Sequence, residues 1–333
     1  LKGVEFLYGT THNMLISEGH FEDVLSVGLR PSIEDVSLHW FGSTATAFHT
    51  HGVAERGIIY DRCTAQNVGI AFFDHRAGTN RPAAVLRDCV TEEVRTIMGH
   101  GECTLKAFIV GHRHQGREGT AMGQLGGLTA GENYIEDSVF RLAFRGGWHS
   151  GSKHLRVRNS IFYMPAGQRP MFLGRGLDFD YENVTLILDF QGQDITGRTG
   201  LLAGWSSPQA RASEDPRGTW KLKNSIIAVI NAPNMKTAAG KPGTAMRFGE
   251  LPVDLTLEKC LLTYLGDVTE TAGKAGQDYF FAAPEDIFAG DPGQGDYRLK
   301  PGGIADKMDV GYREGRPPVY RPIANKTAAE FGY

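Results

Sequence analysis

A short motif recurs along the chain and constrains its fold more than any other feature. Each copy is a β-type run of alternating apolar and polar residues, usually ending in Asp or Asn followed by a small residue. The copies are Ile59–Cys63, Val85–Cys89, Tyr134–Ser138, Val157–Ser160, Phe179–Val184, Leu222–Ser225 and Leu257–Cys260. A strand repeated through most of a chain is typical of a solenoid, in which each copy occupies one turn.

Polar residues, chiefly histidines, form a second repeating set. All eleven histidines lie between His12 and His154. Successive intervals of 24, 25 and 49 residues separate four of them, and a glutamine falls in the interval that the longest spacing skips. One polar side chain per turn of a solenoid would give this spacing. We therefore expect one stacked column of His51, His75, His100, Gln124, His149, Arg175 and Trp205.

Composition fits one all-β domain. The repeat runs from about residue 30 to 265 without a linker-like stretch. Glycine accounts for 43 of the 333 residues, which suits a chain with many turns. The formal charge of −3 is spread along the chain, which argues against a nucleic-acid binder. No apolar run approaches the roughly 20 residues of a membrane-spanning helix.

The recurrent Asp/Asn and Ser/Cys strands, with the closing segment Asp296–Gly302, resemble the right-handed parallel β-helix superfamily of pectate-lyase-like and other polysaccharide-processing proteins. The resemblance implies a solenoid over residues 1–302, with an irregular tail, 303–333, packed on its outside. It also implies an extracellular or periplasmic location and an acidic, uronic-acid-containing polysaccharide as partner. Members include lyases, epimerases and hydrolases as well as adhesins and fibres. A catalytic role and a non-catalytic binding or structural role therefore both remain open.

Stacking between turns predicts what each repeated position does. Neighbouring strands lie about 4.8 Å apart, so equivalent side chains stack. The small residues, including Cys63 and Cys89, are expected to face inward as free thiols and hydroxyls. The acidic and amide residues are expected to form a turn-stabilising ladder of Asp61, Asp88, Asp137, Asn159, Asn183 and Asn224. The three carboxylates of this ladder could alternatively bind calcium.

The histidine column has three open interpretations: a structural ladder, a catalytic groove or a metal site. Stacked imidazoles about 5 Å apart would repel by roughly 3 kcal/mol if all were charged, so some are neutral near pH 7. A neutral histidine can act as a general base. Elimination or C5-epimerisation of a uronic acid needs such a base and a cation beside the carboxylate. The catalytic candidates are His51, His75, His100, His149 and Arg175.

Substrate-binding candidates flank this column. Cations would hold acidic groups of the polymer, and tryptophans would pack against sugar faces. The candidates are Arg76, Gln124, Arg145, Trp148, Lys153 and Trp205. No carboxylate pair accompanies the column, so a hydrolase is less favoured than a lyase or epimerase.

Two His-x-His pairs bear on the metal interpretation. His49 and His51 are two residues apart and would share one face of a strand, with His75 in the next turn as third ligand or Asp74 as its alternative. His112 and His114 form a second such pair. The sequence thus allows a divalent transition metal at the histidines or calcium at the ladder.

The beginning of the chain reads as a strand, from Leu1 to Tyr8, with no amphipathic helix before it. A solenoid exposes unpaired strand edges at each end unless they are capped. We therefore expect either that an N-terminal cap has been removed or that this edge is covered by self-association or another chain.

Overall fold

The computed structural model describes the chain in segments, which divide into two compact units. The described residues are 1–9, 12–16, 19–28, 46–53, 58–77, 84–94, 96–100, 107–116, 124–125, 132–141, 148–150, 154–165, 171–173, 178–192, 203–204, 218–232, 253–263 and 272–317. Unit one comprises Leu1–Leu155 with Pro317–Tyr333, and unit two comprises Arg156–Arg316.

Unit one consists of three parallel sheets that the chain visits in turn, so three consecutive strands make one circuit. Sheet A contains β3 (Gly19–Glu22), β6 (Ile58–Asp61), β9 (Ala84–Arg87), β12 (Ala107–Val110) and β15 (Glu132–Glu136). Sheet B contains β1 (Glu5–Gly9), β4 (Leu25–Gly28), β7 (Thr64–Gln66), β10 (Val90–Glu92), β13 (Arg113–Gln115) and β16 (Val139–Arg141). Sheet C contains β2 (His12–Ile16), β5 (Thr46–Val53), β8 (Ile70–Ala77), β11 (Thr96–His100), β14 (Gln124–Leu125) and β17 (Trp148–Ser150).

Unit two has the same order of strands. Its sheet A contains β18 (His154–Arg158), which crosses the unit boundary, β21 (Asp178–Glu182), β24 (Gly218–Lys223) and β26 (Val253–Glu258). Its sheet B contains β19 (Ile161–Pro165), β22 (Thr185–Asp189), β25 (Ile226–Ile230), β27 (Cys260–Leu262) and β28 (Tyr279–Phe281). Its sheet C contains β20 (Met171–Leu173) and β23 (Ala203–Gly204). Three short helical segments follow: α1 (Pro284–Ile287), the 3₁₀ turn Pro292–Gln294 and α2 (Ile304–Met308).

The expectation of an all-β fold is confirmed. Neighbouring strands in the ladders of both units run parallel, and each sheet receives every third strand through most of the chain. Parallel strands need a connection that returns to the same end of the sheet, and here the other two sheets provide it. This architecture is compatible with a parallel β-helix. In the described part of the chain, helices are all too short or too polar to cross a membrane.

A left-handed residue ends the sheet A strand in most circuits and explains the repeated Asp and Asn. These residues have φ between +42° and +67°: Asp23, Arg62, Asp88, Gly111, Asp137, Asn159, Asn183, Asn224 and Lys259. Asn and Asp tolerate this conformation better than other side chains with a Cβ. The backbone N–H at this position donates to the neighbouring circuit, as Asn183 does to the Lys223 carbonyl at 3.0 Å.

Asp61 does not belong to this ladder, so that part of the prediction is wrong. Arg62 holds the left-handed position of its circuit, whereas Asp61 ends strand β6. The Asp61 carboxylate instead accepts hydrogen bonds from Arg62 at 3.3 Å and Arg87 at 2.8 Å. These two guanidinium groups compensate the charge of the Asp61 carboxylate. The ion pairs argue against Asp61 as a calcium ligand.

The residue after each left-handed position is fully buried. The set is Val24, with 1% exposure, and Cys63, Cys89, His112, Ser138, Ser160, Val184, Ser225 and Cys260, each with 0% exposure. Serine hydroxyls here donate to the carbonyl two residues earlier, for example Ser225 to Lys223 at 2.7 Å. Cys63 and Cys89 are free and buried, which confirms the predicted inward column. Burial raises the pKa of the Cys260 thiol to about 11.

The end of the described chain lies across the turns of unit two. Gly311 N–H donates to the Asn224 carbonyl at 2.8 Å, and Tyr312 N–H donates to the Thr185 hydroxyl at 2.9 Å. Asn159 then binds the backbone of Arg313 twice, because its amide oxygen accepts from the N–H and its amide nitrogen donates to the carbonyl, both at 2.8 Å. These contacts fasten residues 311–313 to three circuits.

The N-terminal residues extend sheet A of unit one. Gly3 N–H donates to the Glu22 carbonyl at 3.0 Å, and Glu22 N–H donates to the Leu1 carbonyl at 2.9 Å. Among the described strands, β1 and β2 are the terminal members of sheets B and C.

Candidate functional site

Strands β5 and β8 of sheet C carry the first part of the predicted histidine column. They pair from Thr46 opposite Ile70 to Val53 opposite Ala77. Within this ladder His51 lies opposite His75. Because neighbouring parallel strands are about 4.8 Å apart, the two histidine positions are adjacent. The predicted alignment of this pair is therefore confirmed.

Neighbouring side chains show which strand face carries these positions. Phe48 stacks on Phe72 with ring centroids 5.0 Å apart, and both contact Tyr60 of β6 in the core of unit one. On the other face, the ring of His49 packs edge-on against Phe73 at 4.8 Å. Successive residues of a strand alternate between faces. Positions 51 and 75 thus share the outer face with His49 and Phe73, which each keep 9% exposure.

Strand β11 does not continue the histidine row. It pairs with β8 so that His100 lies opposite Asp74. The prediction that His100 stacks on His75 is therefore wrong by one residue. The reason is unequal circuit length, since Thr50 to Asp74 spans 24 residues and Asp74 to His100 spans 26. A slip of one residue changes the strand face, so position 100 lies on the face opposite that of position 75.

A second polar pair lies on strands β14 and β17. Gln124 is opposite His149, as the spacing predicts. The ladder between β11 and β14, however, pairs Met98 with Leu125. Gln124 therefore lies opposite residue 97 and not opposite His100. The structure thus has two separate pairs where the sequence predicts one continuous column.

Several predicted site residues lie outside the described part of the chain. These are Arg145, Lys153, Arg175 and Trp205. For others the structure describes the strand position and not the side chain: His51, His75, Arg76, His100, Gln124, Trp148 and His149. Arg76 lies opposite Gly52 near the end of β8.

The strand register shows which of the proposed metal ligands lie on the same face of sheet C. His49 and His51 lie on one face of β5, and His75 lies opposite His51 on the same face. Asp74, the alternative third ligand, falls on the other face. In the part of the chain with described side chains, no three His, Cys, Asp or Glu residues are arranged to hold a metal ion. The side chains of His51 and His75 are not in that part.

The other His-x-His pair forms a buried polar cluster around Thr91. The Thr91 hydroxyl lies 3.0 Å from His112 Nε2 and 2.9 Å from His114 Nδ1. His112 and His114 are 0% and 3% exposed. Burial, with His114 and Arg113 nearby, holds the pKa of His112 well below its usual range. Burial also lowers the pKa of His114 to about 3, so both rings are neutral near pH 7.

The position of His112 was not anticipated from the sequence. It occupies the inward column that Cys89 holds in the preceding circuit and Ser138 in the following one. Gly111 takes the left-handed position before it, and a Cβ there would collide with the Asp88 carboxylate. In the sequence, Val-Gly-His at 110–112 aligns with Arg-Asp-Cys at 87–89. This copy of the motif is hard to recognise because glycine replaces the acid and histidine replaces the small residue.

Unit two contains a buried carboxylate that sequence reasoning also missed. Asp189 is 2% exposed and ends strand β22. It accepts hydrogen bonds from Tyr163 Oη at 2.5 Å, from Asn231 Nδ2 at 2.9 Å and from the Gln191 N–H at 2.8 Å. Three donors satisfy the carboxylate without a cation, and its burial keeps substrate away. We interpret this cluster as structural.

Comparison with known proteins adds no family to this description. No family model matches the chain, and neither curated proteins nor solved structures give a match.

Proposed function

We propose that this protein is a right-handed parallel β-helix over residues 1–302 that acts on an acidic, uronic-acid-containing polysaccharide as a lyase or C5-epimerase. The adjacent positions of His51 and His75 on one strand face carry the proposal. We further propose that it works in an extracellular or periplasmic compartment, where such polymers occur.

The pair is suited to general acid–base chemistry. Two imidazolium ions about 5 Å apart would repel by roughly 3 kcal/mol at an effective dielectric of about 20, which disfavours a proton on both rings at once. In a pair that carries a single proton, the neutral ring can act as the base and the protonated ring as the acid. We assign His75 as the base and His51 as the acid.

The reaction follows from this assignment. His75 removes the proton at C5 of the uronic acid, and developing charge spreads into the carboxylate. In a lyase the electron pair forms the C4–C5 double bond as the C4–O4 bond breaks, and His51 protonates the departing oxygen. In an epimerase no bond to O4 breaks, and C5 is reprotonated from the opposite side. Arg76 would neutralise the carboxylate, since a fixed cation stabilises that charge most in the transition state.

Substrate contacts are assigned to the residues that flank the pairs. Gln124 and His149 are in register with each other on neighbouring strands, and Trp148 adjoins His149 in the sequence. A tryptophan beside polar groups offers a flat surface for a sugar ring. Arg145 and Lys153 stay substrate-binding candidates by their place in the sequence of unit one.

A metal ion at His49, His51 and His75 is the alternative use of the same positions. Three imidazoles with an open fourth position form a catalytic zinc site in other proteins. A bound ion would neutralise the carboxylate in place of arginine. Chelation separates the two, because only the metal site would lose activity and thermal stability on metal removal.

The test is a panel of soluble uronic-acid polymers, with chelator-treated and untreated protein in parallel. A lyase produces the ultraviolet absorbance of the unsaturated uronate. An epimerase incorporates deuterium from D₂O at C5 without that absorbance. If neither signal appears on any polymer and reducing ends do not increase, the catalytic proposal is wrong. Polymer binding without reaction would then favour the non-catalytic carbohydrate-binding, adhesin or fibre role.

A further inference from the structure

The Thr91 hydroxyl restricts the protonation of two core histidines. It has one hydrogen, so it can donate to only one of His112 Nε2 and His114 Nδ1, both of which lie within 3.0 Å. At least one of these nitrogens must therefore donate to the hydroxyl oxygen. The outer nitrogens, His112 Nδ1 and His114 Nε2, are buried and make no hydrogen bond among the described residues.

Among the described residues, the surroundings of the pair offer little compensation for positive charge: a hydrogen bond with Thr91 raises the pKa of His114, but burial outweighs it. The ring of His112 packs 5.7 Å from the ring of Phe140 on β16, and the backbone of His114 pairs with Phe140. On the other side of His114, the residues opposite it across sheet B are Thr91 of β10 and then Ala65 of β7.

Titratable groups around the pair are few among the described residues. Cys89 precedes His112 in the inward column as a buried thiol whose pKa burial raises well above its usual range. The charges that act on His112 are those of His114 and Arg113, and both oppose a proton there. A second proton on either ring would thus be an unpaired buried charge, which is strongly unfavourable.

We propose that the His112–Thr91–His114 cluster is a pH-sensitive switch that loosens unit one in weakly acidic surroundings and leaves unit two folded. It is independent of the proposed catalytic pair. All eleven histidines precede residue 155, so unit two beyond the boundary carries none.

The sign of the effect follows from the direction of the pKa shifts. Both rings titrate near 6.5 when unfolded and well below that when folded. The unfolded state then binds more protons, so the contribution is complete above pH 6.5 and is lost as the pH falls below it. Each such histidine lowers the folding equilibrium constant by nearly tenfold per pH unit, and the pair by about a hundredfold.

The experiment measures hydrogen exchange of the full chain by mass spectrometry between about pH 7.5 and 5, corrected for intrinsic exchange. We expect protection around β13 to fall by up to a hundredfold per pH unit below about 6.5. Protection around β25 should change far less. Equal loss in both regions would overturn the proposal.

Two variants test whether the cluster itself causes the pH dependence. The double variant His112→Ser, His114→Phe uses residues found at neighbouring equivalent positions, Ser138 and Phe140, and should abolish the steep pH dependence. The control His154→Gln changes a histidine outside the cluster and should behave as wild type. A double variant with the wild-type pH dependence would refute the switch.

A direct titration covers the case in which the double variant does not fold. Proton NMR of the native chain should show two histidine rings that remain neutral down to about pH 5. If all histidines of the folded protein titrate near 6.5, the proposal is wrong.

Discussion

Left-handed backbone explains the choice of residue at the end of each sheet A strand. Asp, Asn or Gly holds this position in most circuits, whereas Arg62 and Lys259 hold it in two. A side chain with a Cβ costs roughly 1 kcal/mol in this conformation, and Asn and Asp reduce the cost through local hydrogen bonds. The ladder of acids and amides is thus first a matter of backbone conformation.

Lys259 offers a direct test of this explanation. It is exposed, with φ of +53°. We expect Lys259→Asn to raise the free energy of unfolding by about 0.5–1 kcal/mol, measured by urea denaturation. The matched control is Lys221→Asn, an exposed lysine within strand β24, where asparagine should be neutral or destabilising. Equal effects at both sites would contradict the explanation.

The inward column shows how one element is used repeatedly with different chemistry. Thiols, hydroxyls, one imidazole and the isopropyl group of Val184 occupy the same position, and the serines and cysteines share a hydrogen bond to the carbonyl two residues earlier. Space is limited there because the position is fully buried in the described circuits. Limited side-chain size is therefore the requirement of the position, and a polar donor is common there without being necessary.

Substitutions of Cys89 test this limit on side-chain size. Cys89→Ser should change the free energy of unfolding by less than about 1 kcal/mol, since Ser160 and Ser225 already show that a hydroxyl fits. Cys89→Leu should cost about 1–3 kcal/mol because it overfills a fully buried site. Thermal or urea unfolding of the two variants measures the difference. A tolerated leucine would show that the column is not closely packed.

The elements of sheet A could be predicted from sequence better than those of sheet C. The left-handed turn favours Asp, Asn or Gly, so most copies of the motif mark their own register. Sheet C has no such marker, and its spacing varies with the loops: Asp74 to His100 spans 26 residues, whereas Gln124 to His149 spans 25. An average period of about 25 therefore placed His100 one residue away from its true partner.

On the scale of the whole molecule, histidines and uniformly buried strands are distributed unequally between the units. Every histidine precedes residue 155, within unit one. In unit two, β19, β22 and β25 are buried at every position, and their residues are mostly aliphatic. The proposed base and acid, His75 and His51, therefore both belong to unit one.

Turnover of two histidine variants tests the central claim most directly, on whichever uronic-acid polymer proves active. The register places His75 beside His51 and puts His100 on the other strand face. His75→Gln should therefore lower turnover by about 100-fold or more, the usual scale of general-base catalysis. His100→Gln should stay within a few-fold of wild type, and both variants should keep the wild-type circular dichroism spectrum. Full activity in His75→Gln, or an equal loss in both variants, would contradict the account.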